Sequence, residues 1–183
     1  MPNSFLGVEP PTGHRIRDLA AKMLQNVRRE KCGTVRWAVK TLSDVDSMAV
    51  TLKPQVSTVH GLVNAEMPEK KGPKRIRGLE FFNFKVRGIF VGYKLSSDDN
   101  DFHVVIKDLR TRDTMIVEFA DPKCQGLCSS PFVQETSKFK ILNERVEVEI
   151  WGIPFWDHIH GQIGARNGIE LHPVIWYREL PSP

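Results

Sequence analysis

The stretch that decides the fold is Phe82-Asn83-Phe84-Lys85-Val86-Arg87-Gly88-Ile89-Phe90-Val91-Gly92-Tyr93. Apolar residues occupy the even positions up to Val86, and the odd positions from Ile89 onward. Alternation of this kind indicates a β-strand with one buried face, and a change of phase by one residue is what a β-bulge produces. The sequence therefore predicts a long first strand that bends at Gly88 and serves two parts of a curved sheet.

Four more stretches show the same period of two, and they predict four further strands. They lie at residues 102–106, 115–119, 146–150 and 169–172, and residues 132–139 fit a short helix between the third and fourth strands. This order is typical of an OB-fold barrel. We therefore predict a mainly β protein with minor α content, an OB-like five-stranded barrel over residues 78–178. An open sheet or a small sandwich stays possible. Pro173 cannot donate a ladder hydrogen bond, so the last strand should end, bulge or lie at an edge there.

The residues before the barrel are predicted to form a helical extension. Residues 1–33 fit a leader followed by an amphipathic basic helix at 15–29, with apolar residues at helical spacing. Residues 34–77 fit an extension and a basic linker, in which Val35 to Leu42 is a candidate strand and Ser57 a candidate cap for a short helix ending at Val63. Residues 179–183 are predicted to be a tail.

Composition and charge limit the protein class and its partners. Residues 1–94 hold 17 Lys/Arg against 8 Asp/Glu, whereas the remainder holds 9 against 14. This asymmetry indicates an acidic partner for one end, or attraction between the two halves. No apolar run approaches the roughly 20 residues of a membrane helix, and the start does not resemble a secretory signal. The sequence therefore predicts a soluble, cytoplasmic chain without a membrane span.

Several blocks of the sequence carry specific motifs. The blocks are Trp37–Leu42, Tyr93–Leu95, Asp101–Val105, Thr114–Glu118 and Phe155–Pro173. Their motifs have the forms D-[FY]-H-[VL]-V, T-M-I-V-E and H-G-Q-x-G…N-G-I-E-L-H-P-V. Over about 140 residues, from Trp37 to Ile175, the chain thereby resembles a family of uncharacterised bacterial proteins with no established activity. The chain departs from that pattern at His158, Ile163 and Arg166. The resemblance implies that a set of polar residues belongs to the shared pattern: Asp101, His103, Glu118, His160, Asn167, Glu170 and His172.

Strand spacing predicts which of these polar residues lie together. Residues i and i+2 share a face of a strand, so Asp101 and His103 project together, as do Glu170 and His172. His103 and Glu118 become cross-strand neighbours if their strands pair as in an OB barrel. A cluster of His, Asp and Glu can hold a divalent metal, perform acid–base chemistry or form a structural hydrogen-bond network, and the sequence leaves all three open. The candidate metal ligands are His103, His160, His172, Glu118 and Glu170.

Three functions follow from these patterns. The preferred one is a binding module for nucleic acid, because a basic half with nearby aromatic residues on an OB-like barrel suits a single-stranded partner. Its candidate contacts are Lys85, Arg87, Tyr93, Lys94 and Trp156. The alternatives are a metal-dependent hydrolase, with phosphodiesters as the candidate substrates, and a protein-interaction or structural subunit with another protein as partner. Whether the chain is an enzyme stays open from sequence alone.

Overall fold

A computed structural model describes residues 33, 35–95, 101–119, 140–159 and 163–181 of the chain. Its helices are α1 (Trp37–Lys40) and α2 (Val59–Val63), with 3-10 turns at Ser47–Ala49 and Leu79–Phe81. Its strands are β1 (Thr51–Val56), β2 (Phe82–Leu95), β3 (Phe102–Lys107), β4 (Thr114–Phe119), β5 (Lys140–Trp156) and β6 (Ile169–Glu179). The helices predicted at 15–29 and 132–139 lie outside the described residues.

Strands β2 to β6 close into a barrel. The sheet order is β1-β2-β3-β4-β6-β5, and a further pairing of β2 with β5 closes the ring. β4 and β6 run parallel, whereas the other neighbours within the ring are antiparallel. β1 lies outside the ring, parallel to β2. The prediction of a mainly β protein with a five-stranded barrel is confirmed.

Strand β2 is bent, but the bulge does not lie at Gly88 as predicted. The register shifts between Phe90 and Gly92 in the pairings with both β3 and β5. Phe90 is therefore still an inward residue, 1% exposed, and the inward phase changes only before Tyr93. Gly88 has another role, because a Cβ atom there would lie 2.8 Å from the carbonyl oxygen of Lys107. The glycine allows β3 to approach β2 closely.

The hydrophobic core lies inside the barrel, and α2 contributes to it from one side. Alternate residues of each strand meet there, and Val59, Leu62 and Val63 of α2 join the same cluster. The cap of α2 is Thr58 and not the predicted Ser57, because the Thr58 Oγ1 atom accepts a hydrogen bond from the Gly61 amide at 2.8 Å. The helix predicted to end at Val63 is confirmed.

The chain before the barrel differs from the prediction in two places. The candidate strand Val35–Leu42 is wrong, because its centre is α1, in which the Lys40 amide donates to the Arg36 carbonyl and the Thr41 amide to the Trp37 carbonyl. Residues Thr51–Val56, which were assigned to no element, form β1. Pro173 lies within β6, where the register shifts as Gly152 pairs with Val174 and Pro154 with Leu171, so the bulge expected near the proline is found.

Candidate functional site

Strands β3, β4 and β6 bring the predicted polar residues together on the outer side of the barrel. His103 pairs with Glu118, and Glu170 pairs with Ile116. Inward positions of the same strands carry core residues, so these polar side chains project from the opposite face. We call the group the acidic–histidine cluster, and it consists of Lys40, Asp101, His103, Glu118, Asp157, Glu170 and His172.

Glu118 is the centre of the acidic–histidine cluster. Its Oε1 atom is 2.9 Å from His103 Nε2, so the predicted cross-strand neighbours are in contact. Its Oε2 atom is 2.5 Å from His172 Nδ1 and 3.3 Å from Lys40 Nζ. One carboxylate therefore joins β3, β6 and α1.

Two further carboxylates lie near Lys40, and one of them also lies near His172. Asp101 Oδ2 lies 3.5 Å from His172 Nε2 and 3.9 Å from Lys40 Nζ. Asp157 Oδ2 lies 3.5 Å from Lys40 Nζ. His172 is thus placed between two carboxylates, and an imidazole can donate to both of them only when both of its nitrogens carry protons.

The acidic–histidine cluster is almost fully shielded from solvent. Glu118 and Asp101 are 0% exposed, and His103 is 5% exposed. The Asp157 side chain, at 12%, is the most accessible part of the cluster. Charges in such surroundings interact strongly, because little water screens them.

The buried carboxyl groups Glu118 and Glu170 titrate in opposite directions. Burial by itself would raise the pKa of Glu118, but the charges of His103, Lys40 and His172 outweigh it and hold that pKa well below its usual range. Burial raises the pKa of Glu170 well above its usual range, and the negative charges of Glu118 and Asp157 add to the effect. Glu170 therefore keeps its proton when Glu118 has lost its own, and the two side chains share a hydrogen bond.

Two sets of three side chains have the geometry to hold a metal ion. In the part of the chain that the structure describes, one set is Asp101, Glu118 and His172, and the other is Glu118, Asp157 and Glu170. One ligand atom of each member lies within 4.8 Å of the others in its set. Ligands about 2 Å from a zinc ion lie roughly 3–4 Å apart, so small side-chain movements would close either set around an ion.

Helix α1 is anchored so that Lys40 reaches the acidic–histidine cluster. The Arg36 guanidinium donates to both carboxylate oxygens of the buried Glu80, at 2.9 and 2.6 Å. The Glu80 carboxylate also accepts from the Trp156 amide at 3.0 Å, which ties α1 to the end of β5. This end of β5 leads directly into Asp157.

Aromatic rings enclose the His172 imidazole. The Phe155 ring lies 6.0 Å and the Trp37 ring 6.5 Å from it, both edge-on. Arg36 lies over the same Phe155 ring, 4.6 Å from its centroid. The orientation of His172 is therefore set by packing as well as by its carboxylate partners.

A cleft of about 290 Å³ adjoins the acidic–histidine cluster. Asp157 belongs to both, so it is the member of the cluster that lines the cleft. Its walls carry the basic or imidazole side chains of Arg36, Lys71 and His158. Lys71 comes from the basic segment that the sequence predicted as a linker, and it donates a hydrogen bond to the Asp157 carbonyl.

Not every predicted site residue reaches the acidic–histidine cluster. Asn167 lies in the turn before β6, where its amide group donates to the carbonyls of Leu62 and Ala65 at 2.9 and 3.1 Å, so these contacts join it to α2 and not to the acidic–histidine cluster. His160 lies outside the described residues. Sequence reasoning missed Lys40 and Asp157. The available signal for Lys40 was its position within Trp37–Leu42, one of the blocks that carry the family resemblance.

The predicted nucleic-acid contacts lie in different surroundings. Tyr93 and Trp156 are each 3% exposed and pack in the core, so neither ring offers a free face to a base in this structure. Lys85 and the exposed Arg87 line a groove of about 420 Å³ on the side of β2. Lys94 lies on β2, but its side chain is outside the described part of the chain.

Comparison with family models and with curated proteins gives no family for this chain. It matches no protein-family model and no curated protein. The resemblance to uncharacterised bacterial proteins therefore stays a prediction. Among the residues that the structure describes, no helix combines the length and the apolar character required to cross a bilayer.

Proposed function

We propose that this chain is a divalent-metal-dependent hydrolase whose site is the acidic–histidine cluster. The observation that carries the proposal is the convergence of Asp101, Glu118 and His172, with candidate ligand atoms within 4.8 Å of one another. Glu118 is also a member of the second candidate set. Mixed carboxylate and imidazole ligands suit zinc, manganese and iron.

The charge of the acidic–histidine cluster supports a divalent cation. Glu170 keeps its proton, so the three carboxylates of Asp101, Glu118 and Asp157 surround the single ammonium of Lys40, and two negative charges remain unless the imidazoles of His103 and His172 are protonated. Uncompensated buried charges cost several kcal/mol each. Either protonation of both histidines or one bound divalent cation compensates these two negative charges.

The surroundings support hydrolysis of an anionic substrate such as a phosphodiester. A bound metal lowers the pKa of its water towards about 7, which supplies a nucleophile at neutral pH. Glu170, which keeps its proton, can protonate a leaving group. The basic side chains Lys71 and His158 in the adjoining cleft suit a phosphate group.

The test compares metal binding and turnover in the wild type and two variants. After chelator treatment, Mn²⁺ and Zn²⁺ are added back, and binding is measured by isothermal titration calorimetry and hydrolysis with bis(p-nitrophenyl) phosphate. We expect one site in the wild type, loss of it in Glu118→Gln, and retention in Glu149→Gln. Glu149 is a matched control, because it is also a buried carboxylate in ion pairs, 2.9 Å from Arg87 and 3.1 Å from Arg178.

The opposite result assigns the acidic–histidine cluster to the fold alone. A wild-type chain that binds neither metal, together with a Glu118→Gln variant that loses only stability, would identify a structural network and remove the hydrolase proposal. Metal binding that is equally strong in Glu118→Gln would place the metal elsewhere.

A second candidate function is a nucleic-acid-binding module, which is favoured by the groove of about 420 Å³. Its basic side chains are Lys85, Arg87 and Arg110, and the hydroxyls of Ser57 and Thr58 lie beside them. Basic side chains that contact phosphates make binding depend steeply on salt. This candidate requires no residue of the acidic–histidine cluster.

The nucleic-acid candidate is tested with a fluorescent single-stranded oligonucleotide. We expect binding that weakens between about 50 and 200 mM salt, and a further loss of about tenfold in a Lys85→Glu/Arg110→Glu variant. Lys53→Glu, a charge reversal at an exposed position of β1, is the control. No retention of the oligonucleotide at the lower salt concentration would eliminate this candidate.

A further inference from the structure

Lys40 places an ammonium group between the two candidate metal-ligand sets. Its Nζ atom lies 3.3 Å from Glu118 Oε2, 3.5 Å from Asp157 Oδ2 and 3.9 Å from Asp101 Oδ2. Its side chain is only 5% exposed. The space among these carboxylates therefore already holds a cation, which an incoming metal ion would have to displace.

The ammonium is surrounded by the three carboxylates without forming a short bond to any of them. Charge-assisted N–H···O bonds are usually about 2.7–2.9 Å long. All three Lys40 distances exceed that range. Lys40 donates a hydrogen bond to Glu118 Oε2 at 3.3 Å, and the other two carboxylates add their attraction for the ammonium.

Lys40 also contacts a group outside the carboxylates. Its Nζ atom lies 5.2 Å from the centroid of the Phe155 ring, within the range of a cation–π interaction. An ammonium that leaves Glu118 therefore retains one favourable partner.

We propose that Lys40 is the built-in cation of the acidic–histidine cluster and competes with a divalent metal for Glu118, Asp101 and Asp157. The inference rests on the proposed metal function. A metal about 2 Å from the Glu118 oxygen and an ammonium 3.3 Å from the same oxygen would repel each other strongly. Metal entry therefore requires the ammonium to move away, and Lys40 limits the affinity of the site.

The proposal predicts a gain of metal affinity when the charge of Lys40 is removed. Lys40→Met keeps a long side chain without the ammonium, and Lys40→Arg keeps the charge. We expect Mn²⁺ to bind Lys40→Met about tenfold more tightly than the wild type, and Lys40→Arg no more tightly. Isothermal titration calorimetry gives the dissociation constants, and Lys85→Met, which removes a lysine from the other groove, is the control.

The outcomes separate this inference from the proposed function. Tighter Mn²⁺ binding by Lys40→Met than by the wild type supports the inference. If Lys40→Met binds Mn²⁺ and the wild type binds no metal at all, the inference is supported and the proposed function alone is overturned. Wild-type binding that Lys40→Met does not exceed overturns the inference alone. No binding by either protein overturns both. If Lys40→Met folds only when Mn²⁺ is present, the inference is supported, and failure to fold with Mn²⁺ overturns it.

Discussion

His172 Nδ1 and Glu118 Oε2 lie 2.5 Å apart, which links the two parallel strands of the barrel through their side chains. Neither residue is exposed to solvent. β4 and β6 share only a short ladder, in which Ile116 pairs with Glu170 and Val117 with Leu171. The side-chain contact therefore adds a second link at the place where the barrel has its only parallel pairing among the described strands of the ring.

We predict that Glu118→Gln lowers the free energy of unfolding by about 3–5 kcal/mol. The substitution removes the negative charge that compensates Lys40, His103 and His172, and breaking a buried ion pair on one side costs about this much. Urea unfolding followed by tryptophan fluorescence measures the change. Glu149→Gln should cost less, because the side chain of its partner Arg87 is 55% exposed. Equal losses in the two variants would contradict the central place given to Glu118.

We predict that the metal-free protein loses stability at both acidic and higher pH. The pKa of Glu118 is lowered by folding, so its contribution is present above its ordinary value of 4.5 and is lost as the pH falls towards the lowered pKa. The pKa of Glu170 is raised, so its contribution is present below 4.5 and is lost as the pH rises through the raised pKa.

The variant Glu170→Gln separates these two effects. It keeps a neutral hydrogen-bonding side chain beside Glu118, so the loss of stability at higher pH should shrink while the loss at acidic pH remains. Unfolding by urea at a series of pH values provides the comparison. A variant whose stability falls with rising pH as steeply as that of the wild type would show that Glu170 is not the group responsible.

We predict that Gly88→Ala destabilises the barrel by about 1–3 kcal/mol. The new Cβ atom would lie 2.8 Å from the Lys107 carbonyl oxygen and 3.4 Å from Ile106 Cβ, and the backbone oxygen is part of β3 and cannot move freely. Gly72→Ala is the matched control, since a Cβ atom there meets nothing within 4 Å. Thermal unfolding of both variants is the measurement. A Gly88→Ala variant as stable as the wild type would mean that β3 shifts without cost.

Strand periodicity was sufficient to predict much of the acidic–histidine cluster. The alternation in β3 and β4 gave both their pairing and the contact of His103 with Glu118, because cross-strand neighbours follow from register. Lys40 could not be placed in the same way, since α1 has four residues and the pattern of 35–42 also fits a strand. Its position depends on the distant contacts of Arg36 with Glu80, which no local pattern encodes.

The position of the β2 bulge shows a second limit of sequence reasoning. A glycine at a change of phase indicates a bulge, but Gly88 is required by the closeness of Lys107, and the register shifts after Phe90 instead. A β-bulge and the close approach of a neighbouring strand can each require a glycine within a strand. Only the positions of the neighbouring strands distinguish them.

We predict that Asn167→Ala lowers stability by about 1–3 kcal/mol and leaves metal affinity unchanged. The side-chain amide of Asn167 donates to the carbonyls of Leu62 and Ala65, and its oxygen accepts from the Ile169 amide at 3.2 Å, so the residue joins the end of α2 to the start of β6. Buried partners left without a hydrogen bond cost about this much. Asn167→Asp should be at least as unstable, because a carboxylate cannot donate to the two carbonyls. Calorimetric titration with Mn²⁺ and urea unfolding test the two halves of the prediction, and a loss of metal affinity in a folded Asn167→Ala variant would assign Asn167 to the metal site after all.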